Sequence, residues 1–156
     1  MRTARSCGAR VIVNDRADVA VLSEADGVHV GQDDLSVEDV RAIVGPSAMV
    51  GLSTHTREQI DRALDSDVSY VAVGPVFGTA TKQTGYEARG LDLVEYAAGR
   101  GKPIVAIGGI TLARAPSVVA AGASAVAVIT DLLADEDIER RVRAFVAALP
   151  GDFLKV

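Results

Sequence analysis

The sequence alternates strictly between two kinds of segment, and this alternation limits its possible folds more than any other feature. Short runs rich in Val, Ile and Ala are separated by longer segments in which apolar residues recur with a helical period. The short runs are nearly continuous in apolar residues, which is typical of parallel strands covered by helices. We therefore predict six parallel strands, at residues 10–14, 27–30, 49–53, 70–73, 104–107 and 125–129.

The segments between these runs carry residues that favour the start of a helix. Ser36 and Thr111 each stand directly before such a segment as N-caps. Thr56 is followed three residues later by Gln59, the spacing of a capping box. The predicted helices are residues 17–23, 37–44, 57–66, 91–100, 112–121 and 135–148.

Composition excludes several classes of protein. A hydrophobic fraction of 49% over 156 residues is enough for one domain with a buried core, spanning residues 1–156. The net charge of −5 argues against a nucleic-acid partner, because nucleic-acid-binding proteins usually present a basic face. The single cysteine, Cys7, excludes an internal disulfide and favours a reducing compartment. No apolar stretch is typical of a signal peptide or a membrane span, so we expect a soluble, cytoplasmic protein without a membrane partner.

Polar residues and glycines follow nearly every predicted strand, at positions 14–15, 31–34, 53–55, 74–82, 108–109 and 130–131. In a TIM (β/α)₈ barrel all of these positions lie on the C-terminal face, where such enzymes have their active sites. A doubly wound α/β sheet would instead concentrate them at one switch point. The pattern favours the TIM barrel, of which this chain has six βα units instead of eight.

Five motifs occur in a fixed order along the chain. They are Val-Ile-Val-Asn-Asp-Arg (11–16), Ala-Asp-Gly-Val-His-Val-Gly-Gln-Asp-Asp (25–34), Gly-Leu-Ser-Thr-His (51–55), Gly-Pro-Val-Phe-Gly-Thr-Ala-Thr-Lys (74–82) and Ile-Gly-Gly-Ile-Thr (107–111). From about residue 8 to residue 148 the chain thereby resembles the thiamine phosphate synthases. The resemblance implies a TIM barrel that joins hydroxymethylpyrimidine diphosphate to thiazole phosphate, with Mg²⁺ on the diphosphate. The products would be thiamine monophosphate and pyrophosphate.

The resemblance also assigns residues to the diphosphate. Asp15 and Asp34 match the Mg²⁺ ligands, and carboxylates with substrate oxygens suit that ion. Asn14 and Ser53 match positions that hydrogen-bond the diphosphate, and Lys82 supplies positive charge there. Catalytic roles are implied for Ser53 and Lys82. Each aspartate taken alone equally fits a turn residue or a helix N-cap.

Other residues match the thiazole side. Thr79 and Thr81 match loop positions beside the thiazole ring. Gly109, in a Gly-Gly pair, and Ile129 and Thr130 stand before predicted helices, where free backbone N–H groups bind phosphate in such barrels.

The two histidines leave alternatives open. His29 lies in a predicted strand with apolar neighbours and is interpreted as structural. The related thiazole tautomerases, which share this barrel and resemble the same stretch, use a histidine near His55 as an acid/base group, but synthases also tolerate histidine there. The Thr-Ala-Thr-Lys loop favours the synthase. A non-catalytic remnant barrel that binds a phosphorylated ligand is the third hypothesis.

The chain departs from the family's pattern at its front. The first two strands of the family, with a Gln-x-Arg-x-Lys segment that helps to hold the diphosphate, have no match here. Loss of two strands would leave the strands at 10–14 and 125–129 as open edges, and open edges tend to pair with other chains. We therefore expect a truncated barrel that self-associates or takes up a complementing N-terminal segment.

Overall fold

All six predicted strands form one parallel sheet in the computed structural model, which describes residues 2–78 and 87–149. They are β1 (Ile12–Asn14), β2 (Gly27–Val30), β3 (Met49–Thr54), β4 (Tyr70–Val73), β5 (Ile104–Ile107) and β6 (Ala125–Ala127). Two strands are shorter than predicted: β1 begins two residues later, at Ile12, and β6 ends two residues earlier, at Ala127. The Val11 N–H donates to the Asp26 carboxylate at 2.7 Å instead of extending the ladder. After Ala127 the chain turns into a helix that begins at Thr130.

The strands are ordered β1-β2-β3-β4-β5-β6, each parallel to its neighbours. The order follows the chain without reversal, so the sheet has no switch point of the doubly wound type. This winding confirms the preference for a barrel-type sheet.

Eight helices occur in the part of the chain that is described. They are α1 (Arg2–Ser6), α2 (Ala17–Leu22), α3 (Val37–Val44), α4 (Arg57–Asp65), α5 (Asp92–Ala97), α6 (Ala115–Ala120), α7 (Thr130–Leu133) and α8 (Ile138–Ala148). None of these eight helices is long and apolar enough to cross a membrane.

Two helix starts were predicted wrongly. The helix expected from residue 112 begins at Ala115, because the Leu112 N–H donates to the Asp131 carboxylate at 2.9 Å and the intervening residues form a turn. The helix expected over 135–148 begins at Ile138, where the Asp137 side chain caps it by accepting from the Arg140 N–H at 2.9 Å.

The two caps predicted nearer the middle of the chain are confirmed. Ser36 accepts from the Asp39 N–H at 3.1 Å, and Thr56 accepts from the Gln59 N–H at 3.3 Å. The Gln59 side chain departs from an ideal capping box, because its oxygen accepts from the His55 N–H, one residue before the cap.

Alternation along the strands separates two faces of the sheet. Val28 and Val30 of β2 and Val71 and Val73 of β4 are fully buried in the core that the sheet forms with the helices. Side chains alternate between faces along a strand, so the residues between these valines point the other way. We call this opposite side the inner face; it carries His29 of β2 and Gly51 and Ser53 of β3.

We predict that the helix layer, rather than the exposed surface, determines stability. Ile60 of α4 is 0% exposed and Ile43 of α3 is 46% exposed. Ile60→Ala is expected to lower the free energy of unfolding by about 2–5 kcal/mol, because it leaves a cavity. The matched variant Ile43→Ala should cost about 1 kcal/mol or less. Urea unfolding followed by circular dichroism measures both, and equal losses would contradict this description of the core.

Candidate active site

The six strands are parallel, so their carboxyl ends all lie at the same end of the sheet. We call the segments that end and follow the strands the rim: residues 14–16, 31–34, 53–56, 74–78, 108–112 and 128–131. The rim contains these predicted site residues: Asn14, Asp15, Asp34, Ser53, Gly109, Ile129 and Thr130. Thr79, Thr81 and Lys82 lie outside the described residues.

Hydrogen bonds join the rim segments to neighbouring strands. The Asp15 N–H donates to the His29 carbonyl at 2.8 Å, and the Gln32 side chain donates to the Ser53 carbonyl at 2.7 Å. Farther along the rim, the Phe77 N–H donates to the Gly108 carbonyl at 3.0 Å. Rim residues that are far apart in sequence are therefore held beside one another.

The two predicted metal ligands follow adjacent strands. Asp15 directly follows β1 with a left-handed backbone, φ 63°. One oxygen of the Asp34 carboxylate accepts from the Gly31 N–H at 2.7 Å, which fixes the loop after β2. Within residues 2–78 and 87–149, no three His, Cys, Asp or Glu side chains form a metal-binding group. Any Mg²⁺ held by Asp15 and Asp34 would therefore need substrate oxygens and water as its remaining ligands.

A polar network crosses the inner face just below the rim. The register aligns His29 with Gly51 and Gly51 with Tyr70 across β2, β3 and β4. The Tyr70 hydroxyl lies 3.0 Å from His29 Nδ1, and His29 Nε2 lies 2.8 Å from Ser53 Oγ. The rings of His29 and Tyr70 stack with centroids 5.6 Å apart and planes at 18°. Burial raises the pKa of the Tyr70 phenol, so this hydroxyl keeps its proton at neutral pH.

Gly51 makes this network possible. A Cβ at this position would lie 2.1 Å from Tyr70 Cζ and 2.5 Å from His29 Nδ1. Sequence reasoning interpreted His29 as structural and did not pair it with Ser53. The sequence shows a histidine, a glycine and a tyrosine in three separate strands. That they lie side by side follows only from the strand register, which the sequence does not give.

The loop after β5 packs tightly against the loop after β4. Gly109 has a left-handed backbone, φ 61°, and a Cβ there would lie 2.5 Å from the Gly78 carbonyl oxygen. The Arg114 guanidinium donates to the Gly109 carbonyl at 2.9 Å and lies 4.6 Å from the centroid of the Phe77 ring. Gly109 therefore serves the contact between two rim loops, whether or not it also approaches a phosphate.

The helix N-termini predicted to bind phosphate differ from expectation. Thr111 does not cap α6, and the Leu112 N–H is held by the Asp131 carboxylate, which also pairs with Arg141 at 2.7 Å. Ile129 and Thr130 do stand at the start of a helix, the single turn α7.

His55 lies on the rim beside β4. Its Nδ1 is 2.6 Å from the Gly74 carbonyl oxygen, and a carbonyl can only accept, so Nδ1 carries a proton. A pocket of about 290 Å³ lies next to this ring, lined by His55, Thr56, Arg57, Glu58, Arg89, Asp92 and Leu93. Of the described residues proposed above for chemistry, His55 alone lines it.

We predict that a side chain at position 51 breaks the network. Gly51→Ala is expected to cost about 1–3 kcal/mol of unfolding free energy, because the new methyl group displaces the Tyr70 ring. The loss should shrink in a Tyr70→Ala background, where no ring remains to be displaced. Gly78→Ala is the matched control, because a Cβ there meets no atom of the described residues within 4 Å. An undiminished loss in the double variant would contradict the packing described.

Known proteins resemble this chain in sequence and in fold. The family model described as thiamine monophosphate synthase matches residues 1–132. The thiamine-phosphate synthase of Roseiflexus sp. (strain RS-1) is 47% identical over 146 residues, which are 93% of this chain and 62% of that protein. The thiamine-phosphate synthase of Pelotomaculum thermopropionicum is 42% identical, with 93% and 67% covered.

A solved structure gives the same result. Thiamine phosphate pyrophosphorylase from Pyrococcus furiosus superposes with a TM-score of 0.88 at 28% identity, covering 98% of this chain and 73% of that one. The six βα units therefore form a curled part of a TIM-type barrel, as predicted. The chain spans about two thirds of the length of the curated relatives it matches. It belongs to the thiamine monophosphate synthase family.

Proposed function

We propose that this chain joins hydroxymethylpyrimidine diphosphate to thiazole phosphate, giving thiamine monophosphate and pyrophosphate. In this reaction the bond between the pyrimidine methylene and the diphosphate oxygen breaks, and the thiazole nitrogen forms the new bond to that carbon. Family membership supports the reaction class. The observation that carries the proposal is the position of Asn14, Asp15, Asp34 and Ser53 at the ends of three adjacent strands.

The diphosphate would bind at the rim over β1, β2 and β3. Asn14 and Ser53 offer neutral hydrogen-bond donors there, and Lys82 adds a positive charge. Leaving-group departure places negative charge on the diphosphate, and fixed donors around a developing anion lower the barrier. Asp15 and Asp34 would hold Mg²⁺, which neutralises diphosphate oxygens when bound.

The thiazole phosphate would bind at the rim over β5 and β6. Thr79 and Thr81 are proposed beside the thiazole ring, and Gly109, Ile129 and Thr130 beside its phosphate. The Arg114 guanidinium, held against Gly109 and Phe77, adds positive charge to the same corner of the rim. The two substrates would therefore occupy opposite sides of the rim, with the reacting carbon between them.

Among the contacts described above, none favours the tautomerase hypothesis over the synthase. Both relatives described above are named for the synthase. The His55 Nδ1 faces the Gly74 carbonyl, and its ring borders a pocket between the starts of α4 and α5 that Ser53 does not line. The cytoplasm is the proposed compartment, since the exposed thiol of Cys7 is compatible with reducing surroundings.

A two-substrate assay tests the proposed reaction. With both substrates and Mg²⁺, we expect thiamine monophosphate and pyrophosphate in equal amounts, measured by chromatography. The assay is run on the chain alone and on the chain mixed with the part of the Roseiflexus protein outside the matched residues. Isomerisation of thiazole carboxylate phosphate alone would indicate a tautomerase. Neither activity, in either preparation, would indicate a non-catalytic binding protein.

Three variants assign the diphosphate site. Asp34→Asn should abolish Mg²⁺-dependent turnover, because it removes a negative ligand without changing the size of the side chain. Lys82→Ala should lower turnover by about 10²–10³, the usual effect of losing one contact to a developing anion. Asp33→Asn is the matched control and should retain turnover. Loss of turnover in Asp33→Asn but not in Asp34→Asn would assign the role of Mg²⁺ ligand to Asp33 instead of Asp34.

The two edge strands of the sheet, β1 and β6, are proposed as association surfaces. In the described residues β1 pairs only with β2, and β6 pairs only with β5. Strands at the end of a sheet present N–H and C=O groups that pair with another strand. We propose that a second copy of the chain or a complementing segment pairs there. Light scattering after size exclusion should give a mass above 16.2 kDa, falling on dilution. A concentration-independent 16.2 kDa monomer would refute association between copies.

A further inference from the structure

The polar network on the inner face joins two residues of no assigned role, Tyr70 and His29, to Ser53. We propose that Tyr70 and His29 are positioning residues that hold the Ser53 hydroxyl as a hydrogen-bond donor toward the leaving diphosphate. This proposal rests on the proposed function. It adds a direction to the network, in which each group donates to the next: Tyr70 to His29, His29 to Ser53, and Ser53 to the substrate.

The direction follows from counting protons. A serine hydroxyl has one proton, so Ser53 can donate to an anion only if its contact with His29 is one in which it accepts. His29 Nε2, 2.8 Å away, must then carry the ring proton. A neutral imidazole has one protonated nitrogen, so Nδ1 must be the acceptor, and the Tyr70 hydroxyl 3.0 Å away must donate to it.

Tyr70 is suited to set this direction. Its half-buried phenol keeps its proton, and a phenol is a stronger donor than acceptor because its oxygen lone pairs are delocalised into the ring. Among the described residues, the hydrogen-bond partner of that hydroxyl is His29 Nδ1. Donation from Tyr70 thereby selects the Nε2–H tautomer of His29.

The geometry is held by the sheet rather than by loops. His29, Gly51 and Tyr70 are register partners on three neighbouring strands, and Gly51 leaves room for the tyrosine ring to reach the histidine. Ser53 lies two residues farther along β3, where the rim begins. Its carbonyl is held by the Gln32 side chain at 2.7 Å, so both the backbone and the hydroxyl of Ser53 are oriented.

The tautomer of His29 can be measured without any activity. The chain has two histidines, so ¹⁵N-labelled imidazole signals are assigned by His29→Asn and His55→Asn variants. We expect His29 to show a protonated Nε2 and an unprotonated Nδ1, and Tyr70→Phe to weaken that preference. Tyr96→Phe, which removes a hydroxyl bound to Asp61 instead, is the matched control and should leave the signals unchanged. A protonated Nδ1 in the wild-type chain would overturn the proposal.

Kinetics test whether the network acts through Ser53. Tyr70→Phe is expected to lower kcat about three- to tenfold, because this is the effect of losing one neutral hydrogen bond. KM for thiazole phosphate should not change. In a Ser53→Ala background the same change should have no further effect. His29→Gln, which retains an N–H donor at about the Nε2 position, should keep more activity than His29→Asn, which does not reach Ser53. Additive effects of Tyr70→Phe and Ser53→Ala would refute the proposal that the network acts through Ser53.

The two arms separate failure of this proposal from failure of the proposed function. If the chain converts the two substrates but His29 carries its proton on Nδ1, the synthase stands and the relay is wrong. If no thiamine monophosphate forms in either preparation but the Nε2–H tautomer depends on Tyr70, the function is wrong and the directed network is supported.

Discussion

The register of the parallel sheet determines which side chains meet in this protein. Because β2, β3 and β4 align His29, Gly51 and Tyr70, the tyrosine ring crosses the glycine and reaches the histidine. A shift of one residue in β2 would turn His29 toward the helices and bring Val28 or Val30 to the inner face. The buried valines that fix the register therefore also fix the polar network on the opposite face.

The rim is built by contacts between loops as much as by individual side chains. Backbone N–H groups of one segment donate to carbonyls of the next, and glycines allow the loops after β4 and β5 to approach closely. The Asp131 carboxylate shows the consequence. It holds the Leu112 N–H and pairs with Arg141, so a backbone donor that the sequence pattern assigned to a ligand joins two rim segments instead. Positions available to substrates are thus selected by the fold.

Sequence patterns predicted the strands better than the helices. Continuous apolar runs need only be buried between layers, so local composition is a sufficient signal for them. A helix start depends on which group takes the first N–H donors, and that group can come from a distant segment. Ser36 and Thr56 cap their own helices and were predicted correctly, whereas Thr111 was not used because Asp131 bonds nearby. Local signals failed where a tertiary contact replaced them.

The sequence by itself determined the order of strands and helices and the position of polar residues after the strands, because these depend on patterns within short segments. Those polar positions, together with the five ordered motifs, indicated the barrel-type architecture. The fold brought Asn14, Asp15, Asp34 and Ser53 to the rim, as that pattern required. Only the tertiary structure decided the partners of His29. Its contacts to Tyr70 and Ser53 join residues 41 and 24 positions apart, and they exist because the register aligns three strands around a glycine.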